Sequence, residues 1–194
     1  MLASGENVNV LVLDSEVYSN TGGQVSKATP MGATARFAAN GKSAAKKDLG
    51  LMAMSYQNVY VAQVCIGANK QQYLNTLREA EAYDGPSLII AYSPCIAHGF
   101  SLSNCMDEQK LAVDCGYWLL YRFRPDLKAQ GENPFILDSK QPTLPLREFL
   151  LRENRFVALQ KSNPERAELL FTKAEKECKE KREFYERLSS LFEP

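Results

Sequence analysis

The chain carries no excess of either charge: Lys and Arg number 23 among its 194 residues, and Asp and Glu also number 23. A blanket electrostatic attraction to nucleic acid or to an anionic membrane is therefore not expected. No apolar run approaches the ~18 residues of a membrane span. The N-terminus, "MLASGENVNV", lacks the basic-then-apolar order of a secretion signal. Histidine is nearly missing, with His98 alone. The cysteines Cys65, Cys95, Cys105, Cys115 and Cys178 are odd in number and include no C-x-x-C pair. A self-contained zinc or iron–sulfur spacing is thus absent, and a reducing cytoplasm is the expected location. Internal repeats and low-complexity tracts are missing too. What remains is an ordinary globular composition, 45% hydrophobic and 24% charged, long enough for one sizeable core.

The pattern along the chain alternates strand and helix. "VNVLVLD" (8–14) is rich in β-branched residues and reads as a buried, parallel strand. "ATARFAAN" (33–40) and "KKDLGLMAMSYQ" (46–57) read as helices, with Asp48 an acid in the first turn of the second. "VYVAQV" (59–64) is a strand, and residues 68–83 form an amphipathic helix with Tyr73, Leu74, Leu77 and Ala80 on one face. A turn and strand follow at 84–92. A helix at 104–116 has Asn104 as N-cap and Gly116 as C-cap, and "YWLLYRF" (117–123) is a further strand. This order predicts an α/β fold with a parallel sheet flanked by helices over residues 1–124. Residues 125–194 differ: a Pro/Gly-rich segment holds a short strand at 134–138, and Pro164 opens a long helix. On that helix Ala167, Leu170, Phe171, Ala174, Cys178, Tyr185 and Leu188 recur at near-helical spacing over about 40 Å. It either packs along its own domain or takes part in subunit packing.

The stretch "LVLDSEVYSNTGGQVSKATP" (11–30) leaves the first strand and enters a long loop with little apolar content. In open parallel sheets, ligands bind beyond the carboxyl ends of strands, and long loops there are functional or disordered. Ser15, Ser19, Asn20 and Thr21 offer side-chain oxygens, and Gly22 and Gly23 permit close backbone approach. Such groups suit magnesium and a phosphate. They equally suit a long turn whose Ser, Asn and Thr satisfy its own backbone. Between Glu16 and Asp48 the only charges are Lys27, Arg36, Lys42, Lys46 and Lys47. This patch fits a diphosphate, coenzyme A or an acidic protein partner, or else a solvated basic face.

The same stretch resembles the second half of the thiamine-diphosphate motif of the pyruvate:ferredoxin (flavodoxin) oxidoreductases. "ARFAANGKSAAKKDLGLMAMSYQNVYVAQV", "EAEAYDGPSLIIAYSPCIAHG" and "ENPFILDSKQPTLPLREFLLRENRF" are similar to consecutive blocks of that family, in its order. The resemblance implies a thiamine-diphosphate-binding fold, incomplete on its N-terminal side, with the long helix as a C-terminal extension. It implies that Ser15 by its side chain and Val17 by its carbonyl hold the cofactor's magnesium, and that Asn20 orients pyruvate. Thr21 and Gly22 complete the cofactor-binding motif. Ser15 stands where the family commonly has Thr, which keeps the hydroxyl without the stiffness of a β-branched residue. Val25 replaces a residue that is commonly Ser. Cys95 corresponds to the family's downstream ligand of a [4Fe–4S] cluster; without the resemblance it would be a plain loop thiol. The remaining cysteines fall on expected strand or helix, as core residues. His98 is a possible neighbour of the cluster with no catalytic role assigned.

The family's motif opens with Gly-Asp-Gly, whose Asp is a magnesium ligand, and no such tripeptide occurs in this chain. The other cluster cysteines, the glutamate that activates thiamine and a pyruvate-binding arginine also lie upstream in the family. The resemblance is thus to a C-terminal piece of a larger enzyme. That enzyme is homodimeric, converts pyruvate and coenzyme A to acetyl-CoA and carbon dioxide, and reduces ferredoxin or flavodoxin. For the isolated chain the expectations are weak cofactor binding or none, and an exposed sheet edge. A related 2-oxoacid:ferredoxin oxidoreductase, a stand-alone nucleotide- or coenzyme A-binding module and a purely structural fragment are the competing readings.

Overall fold

The structure is a computed structural model and describes residues 1–191. A five-stranded sheet forms the centre: β1 (Asn9–Asp14), β2 (Tyr60–Val64), β3 (Ser87–Tyr92), β4 (Tyr121–Phe123) and β5 (Phe135–Leu137). Their spatial order is β1-β3-β2-β4-β5. β1, β3 and β2 are parallel, with Asp14 opposite Tyr92 and Val64 opposite Ala91. β2 and β3 are buried along their whole length, as interior parallel strands require. The sheet is mixed, however, because β4 runs antiparallel to β2 and β5 antiparallel to β4.

The reversal at β4 has a local cause. The helix α3 (Cys105–Asp114) stays at the carboxyl end of the sheet, where Gln109 Oε1 accepts from the Gly67 N–H. Gly116, at φ +77°, turns the chain, and Trp118 Nε1 donates to the Val64 carbonyl at 3.0 Å. The chain therefore re-enters the sheet from the carboxyl end of β2, and only the last part of the expected strand 117–123 pairs. Asn104 precedes α3 but makes no capping hydrogen bond with its side chain.

Three further expectations change. Residues 33–40 are not helical. The N–H groups of Thr34 and Arg36 go to the carbonyls of Arg155 and Gly23, and the Arg36 carbonyl accepts from Val25, so tertiary partners take the bonds a helix would use. β1 is an edge strand rather than a buried one. Val10 and Val12 pack on the core, but Leu11 and Leu13 on the other face are 49% and 64% exposed. The helix α2 (Lys70–Ala82) buries Gln72, Thr76 and Ala80, with Tyr73 half-buried and Leu74 and Leu77 exposed. Gln72 turns inward because its Nε2 reaches the Gln63 carbonyl and Asp138 Oδ2.

The helix α1 (Leu49–Met54) is capped by Asp48, whose Oδ1 accepts the Leu51 N–H at 2.9 Å. Two short helices not foreseen, α4 (Leu146–Leu150) and α5 (Asn154–Ser162), precede α6 (Pro164–Ser190). Asn163 caps α6 and Pro164 opens it. Ala167, Leu170, Phe171, Ala174 and Tyr185 are buried, Cys178 and Leu188 half-buried, and the helix packs on α5 and β5. One apolar cluster runs from Val61, Leu88 and Ile90 through Trp118, Phe149 and Phe156 to Phe171 and Tyr185. Residues 192–194, the end of the expected C-terminal extension, lie outside the described residues.

Candidate functional site

β1 and β3 are neighbours, so the loops leaving Asp14 and Tyr92 lie side by side at the carboxyl edge of the sheet. His98 joins them: its Nε2 lies 2.9 Å from the Ser15 carbonyl oxygen, which only accepts, so this nitrogen carries the proton. A Cβ added at Gly23 would meet Ala97 Cβ at 3.4 Å. The 15–23 loop and the Cys95 loop thus touch.

Within the first loop, Ser15 Oγ donates to the Val17 carbonyl at 3.2 Å. Two adjacent ligands of an octahedral magnesium with bonds of about 2.1 Å stand about 3.0 Å apart. The pair therefore fits two corners of such a site, and both atoms are the hard oxygens magnesium prefers. Glu16, between them, adopts φ +61°, an uncommon conformation for a non-glycine residue. A turn of 3₁₀ helix at Ser19–Thr21 ends on Gly22 and Gly23, at φ +107° and +84°. A Cβ at Gly22 would lie 2.7 Å from Arg36 Nη1, the end of an exposed side chain that can swing away, so the positive φ is what calls for glycine. Thr21 is committed internally, with Oγ1 2.6 Å from Gln24 Oε1. Asn20 is exposed, and its amide forms no hydrogen bond among the described residues.

Beneath the loop lies a cluster of charge that sequence patterns did not reveal. Glu16 is 1% exposed, and its carboxylate shares the Tyr117 hydroxyl between both oxygens at 2.8 Å. Lys46 Nζ lies 3.2 Å from Glu16 and 2.7 Å from Asp14, and Arg155 Nη2 lies 2.8 Å from Glu16 Oε2. Burial alone would raise the Glu16 pKa; the charges of Lys46, Arg155 and His98 and the Tyr117 hydrogen bond bring it down to about 2. Glu153 Oε2 accepts from Arg155 Nε at 2.6 Å, and its Oε1 lies 3.4 Å from His98 Nδ1, poorly aligned for a hydrogen bond. A cavity of about 200 Å³ opens beside this cluster, bordered by Met31, Trp118, Leu146 and Cys178.

The basic patch is smaller than the residue types suggest. Lys42 Nζ is spent on the carbonyls of Lys27, Thr29 and Ala45, and Lys46 on Asp14, Glu16 and the Ala28 carbonyl. Lys27, Arg36 and Lys47 remain exposed.

Cys95 is half-buried, and its Sγ accepts from the Ala97 N–H at 3.5 Å. Among the described residues no three His, Cys, Asp or Glu side chains are grouped to hold a metal ion. This loop therefore offers one sulfur and the first loop two oxygens, in each case part of a ligand set. Cys65 and Cys115 are buried, and Cys105 and Cys178 are half-buried. Burial pushes Cys65, Cys115 and Cys178 up to about 12, which makes them inert packing groups.

Residues 1–91 match the family described as thiamine pyrophosphate enzyme, C-terminal TPP binding domain. The chain is 60% identical over 97% of its length to a pyruvate:ferredoxin oxidoreductase of Moorella thermoacetica. It is 60% identical over 98% to a pyruvate-flavodoxin oxidoreductase of Trichormus variabilis. A mitochondrial pyruvate dehydrogenase [NADP(+)] of Euglena gracilis is 55% identical over 88% of the chain. The chain spans only 16% of the length of the first two relatives and 10% of the third. Residues 1–91 thus match the C-terminal TPP-binding domain of thiamine pyrophosphate enzymes, and the chain is similar over nearly its whole length to one segment of the pyruvate:ferredoxin and pyruvate-flavodoxin oxidoreductases.

Proposed function

We propose that this chain contributes part of the thiamine-diphosphate site of an oxidoreductase that converts pyruvate and coenzyme A to acetyl-CoA and carbon dioxide. Electrons would leave through iron–sulfur clusters to ferredoxin or flavodoxin. The observation that carries this reading is the Ser15 Oγ–Val17 O pair, 3.2 Å apart at the carboxyl end of β1 and in contact with the Cys95 loop. Thiamine diphosphate, when bound, supplies the electron sink that decarboxylation of a 2-oxo acid needs, because no side chain stabilises an acyl carbanion. In this reading Ser15 and Val17 hold magnesium through oxygen, and the free amide of Asn20 orients the substrate. Gly22 takes the φ of +107° that turns the loop back. Cys95 offers its sulfur to a [4Fe–4S] cluster.

The remaining ligands would come from other parts of a longer, homodimeric cytoplasmic protein, and the uncovered face of β1 at Leu11 and Leu13 is consistent with such a neighbour. The acceptors named for the relatives are ferredoxin, flavodoxin and NADP(+).

Calorimetric titration of thiamine diphosphate, with and without magnesium, tests the reading. The full-length protein is expected to bind it in a magnesium-dependent way, and Ser15→Ala to weaken that binding at least tenfold. Ser15→Ala with wild-type affinity would remove Ser15 from the magnesium site. The isolated chain is expected to bind weakly or not at all.

A further inference from the structure

We infer that the start of α5 is a positioning clamp for both site loops, with Glu153 and Arg155 setting the Ser15–Val17 oxygens and the Cys95 turn in fixed relation. This rests on the functional reading above but assigns roles to residues well outside the matched domain, 1–91.

The contacts reach each loop separately. Toward the first loop, Arg155 Nη2 lies 2.8 Å from Glu16 Oε2. Glu16 is the residue between the two magnesium-ligand candidates, and it is the one held at φ +61°. A left-handed glutamate persists only where its surroundings over-determine it. Here the side chain is gripped by Arg155, Lys46 and Tyr117, and the Glu16 carbonyl accepts from Thr29 Oγ1 at 2.6 Å. Rotation of Glu16 would carry Ser15 Oγ and Val17 O away from each other. Toward the second loop, Glu153 faces His98, which lies in the 3₁₀ turn just after Cys95 and binds the Ser15 carbonyl. The Asn154 N–H donates to the Gly99 carbonyl at 3.4 Å, and a Cβ at Gly99 would meet Asn154 Cβ at 2.5 Å. The first residues of α5 are therefore wedged against the Cys95 loop.

The arrangement is poorly suited to stability alone. Arg155 is 3% exposed; its Nη1 has no hydrogen-bond partner among the described residues, and its Nη2 meets Glu16 as an ion pair not aligned for a hydrogen bond, a cost that an apolar side chain of similar size would avoid. A buried ion network that is not the most stable filling of its space fits a role in setting position.

The test uses full-length protein loaded with thiamine diphosphate, magnesium and its iron–sulfur clusters. Glu153→Gln keeps the shape and removes the charge facing His98 and Arg155. Arg147→Ala is the control: it breaks ion pairs to Glu168 and Glu175 at the α4–α6 surface, away from the loops. Glu153→Gln is expected to raise the magnesium concentration for half-saturation at least fivefold and, in the same variant, to change the reduced-cluster electron paramagnetic resonance spectrum. Arg147→Ala is expected to lower the melting temperature only. A Glu153→Gln protein that melts lower but keeps wild-type magnesium dependence and spectrum overturns the clamp. Should Glu153→Gln fail to fold, Arg155→Lys, which keeps the buried charge but cannot reach Glu16 and Glu153 through separate nitrogens, must raise the magnesium requirement about threefold; no change would equally overturn the proposal. Wild-type protein without magnesium-dependent thiamine diphosphate binding would instead sink the functional reading, and the clamp with it.

Discussion

Asp48 joins three parts of the structure, and its replacement gives a worked prediction. One carboxylate oxygen caps α1 through the Leu51 N–H, while the other accepts the Tyr185 hydroxyl at 2.7 Å and pairs with Lys181 at 2.7 Å. Asp48→Ala removes the cap, worth about 1 kcal/mol. It leaves the hydroxyl of the fully buried Tyr185 without an acceptor, costing about 1–3 kcal/mol. The partly exposed Lys181 pair adds at most about 1 kcal/mol, because the ammonium can turn to water. The expected loss is about 2–5 kcal/mol, a large share of the roughly 5–15 kcal/mol of a typical domain. Asp48→Asn keeps one oxygen for the Leu51 N–H and turns its NH2 to the Tyr185 hydroxyl, which then accepts instead of donating, while the Lys181 pair is lost, so about 1–2 kcal/mol is expected. Urea unfolding followed by the fluorescence of Trp118, the single tryptophan and a buried one, measures both. The pH dependence adds a sign. Burial opposes ionisation of Asp48, but Lys181, the Leu51 N–H and the Tyr185 hydroxyl outweigh it and hold the carboxyl below its ordinary 3.8. Its contribution is therefore complete above that ordinary value and lost as pH falls through the lower folded value. The gap between wild type and Asp48→Asn should narrow in acid. Equal losses for Asp48→Asn and Asp48→Ala, or a gap that widens in acid, would refute the reasoning.

Gly22→Ala places a side chain at φ +107° and is expected to cost about 1–3 kcal/mol of local strain. Because the strain lies in the backbone, adding Arg36→Ala should recover little of the loss in urea unfolding; full recovery would mean that the contact with Arg36 is the whole effect. Thiol chemistry gives a third prediction: iodoacetamide at pH 8 should label Cys95 and Cys105 in the native chain. Cys65, Cys115 and Cys178, pushed up to about 12, should react only after denaturant is added, and rapid native labelling of Cys178 by peptide mass mapping would contradict its burial.

The legible parts of this protein are those written locally. β1, β2 and β3 are dense β-branched or apolar runs, and the long helix announces itself by Asn163, Pro164 and a repeating apolar stripe. The Ser15 loop is visible as a polar, glycine-bearing exit from a strand. What stayed hidden depends on partners distant in sequence. Residues 33–40 have helical composition, yet Arg155 and Gly23 compete for their backbone groups. Periodicity places Leu74 and Leu77 inward on α2, but Gln72 has buried acceptors at Gln63 and Asp138 that no pattern reveals. The antiparallel β4 follows from α3 remaining at one end of the sheet, a choice of path rather than of propensity. Glu16 is visible as a charge beside two candidate ligands, but nothing near it in sequence points to Arg155 or Glu153.

The location of the candidate donors also bears on why each ligand set is partial. In open parallel sheets a binding crevice forms between the carboxyl ends of strands, so a complete crevice needs structure on both sides. Here the magnesium-ligand candidates leave β1, the edge strand, and the cluster-ligand candidate leaves β3, its inner neighbour. Structure exists on the β3 side, where His98 and α5 brace both loops. On the other side β1 has no neighbouring strand among the described residues, and Leu11 and Leu13 face outward. Two oxygens are too few for a magnesium that takes about six, and one cysteine is too few for a cluster that takes about four. Under the proposed function, the bare edge and the short ligand sets have one cause: whatever lies against β1 in the working protein supplies the missing donors. A neighbour that covered Leu13 without contributing a carboxylate beside Ser15 would separate the two, and would leave magnesium held by diphosphate and water alone on that side.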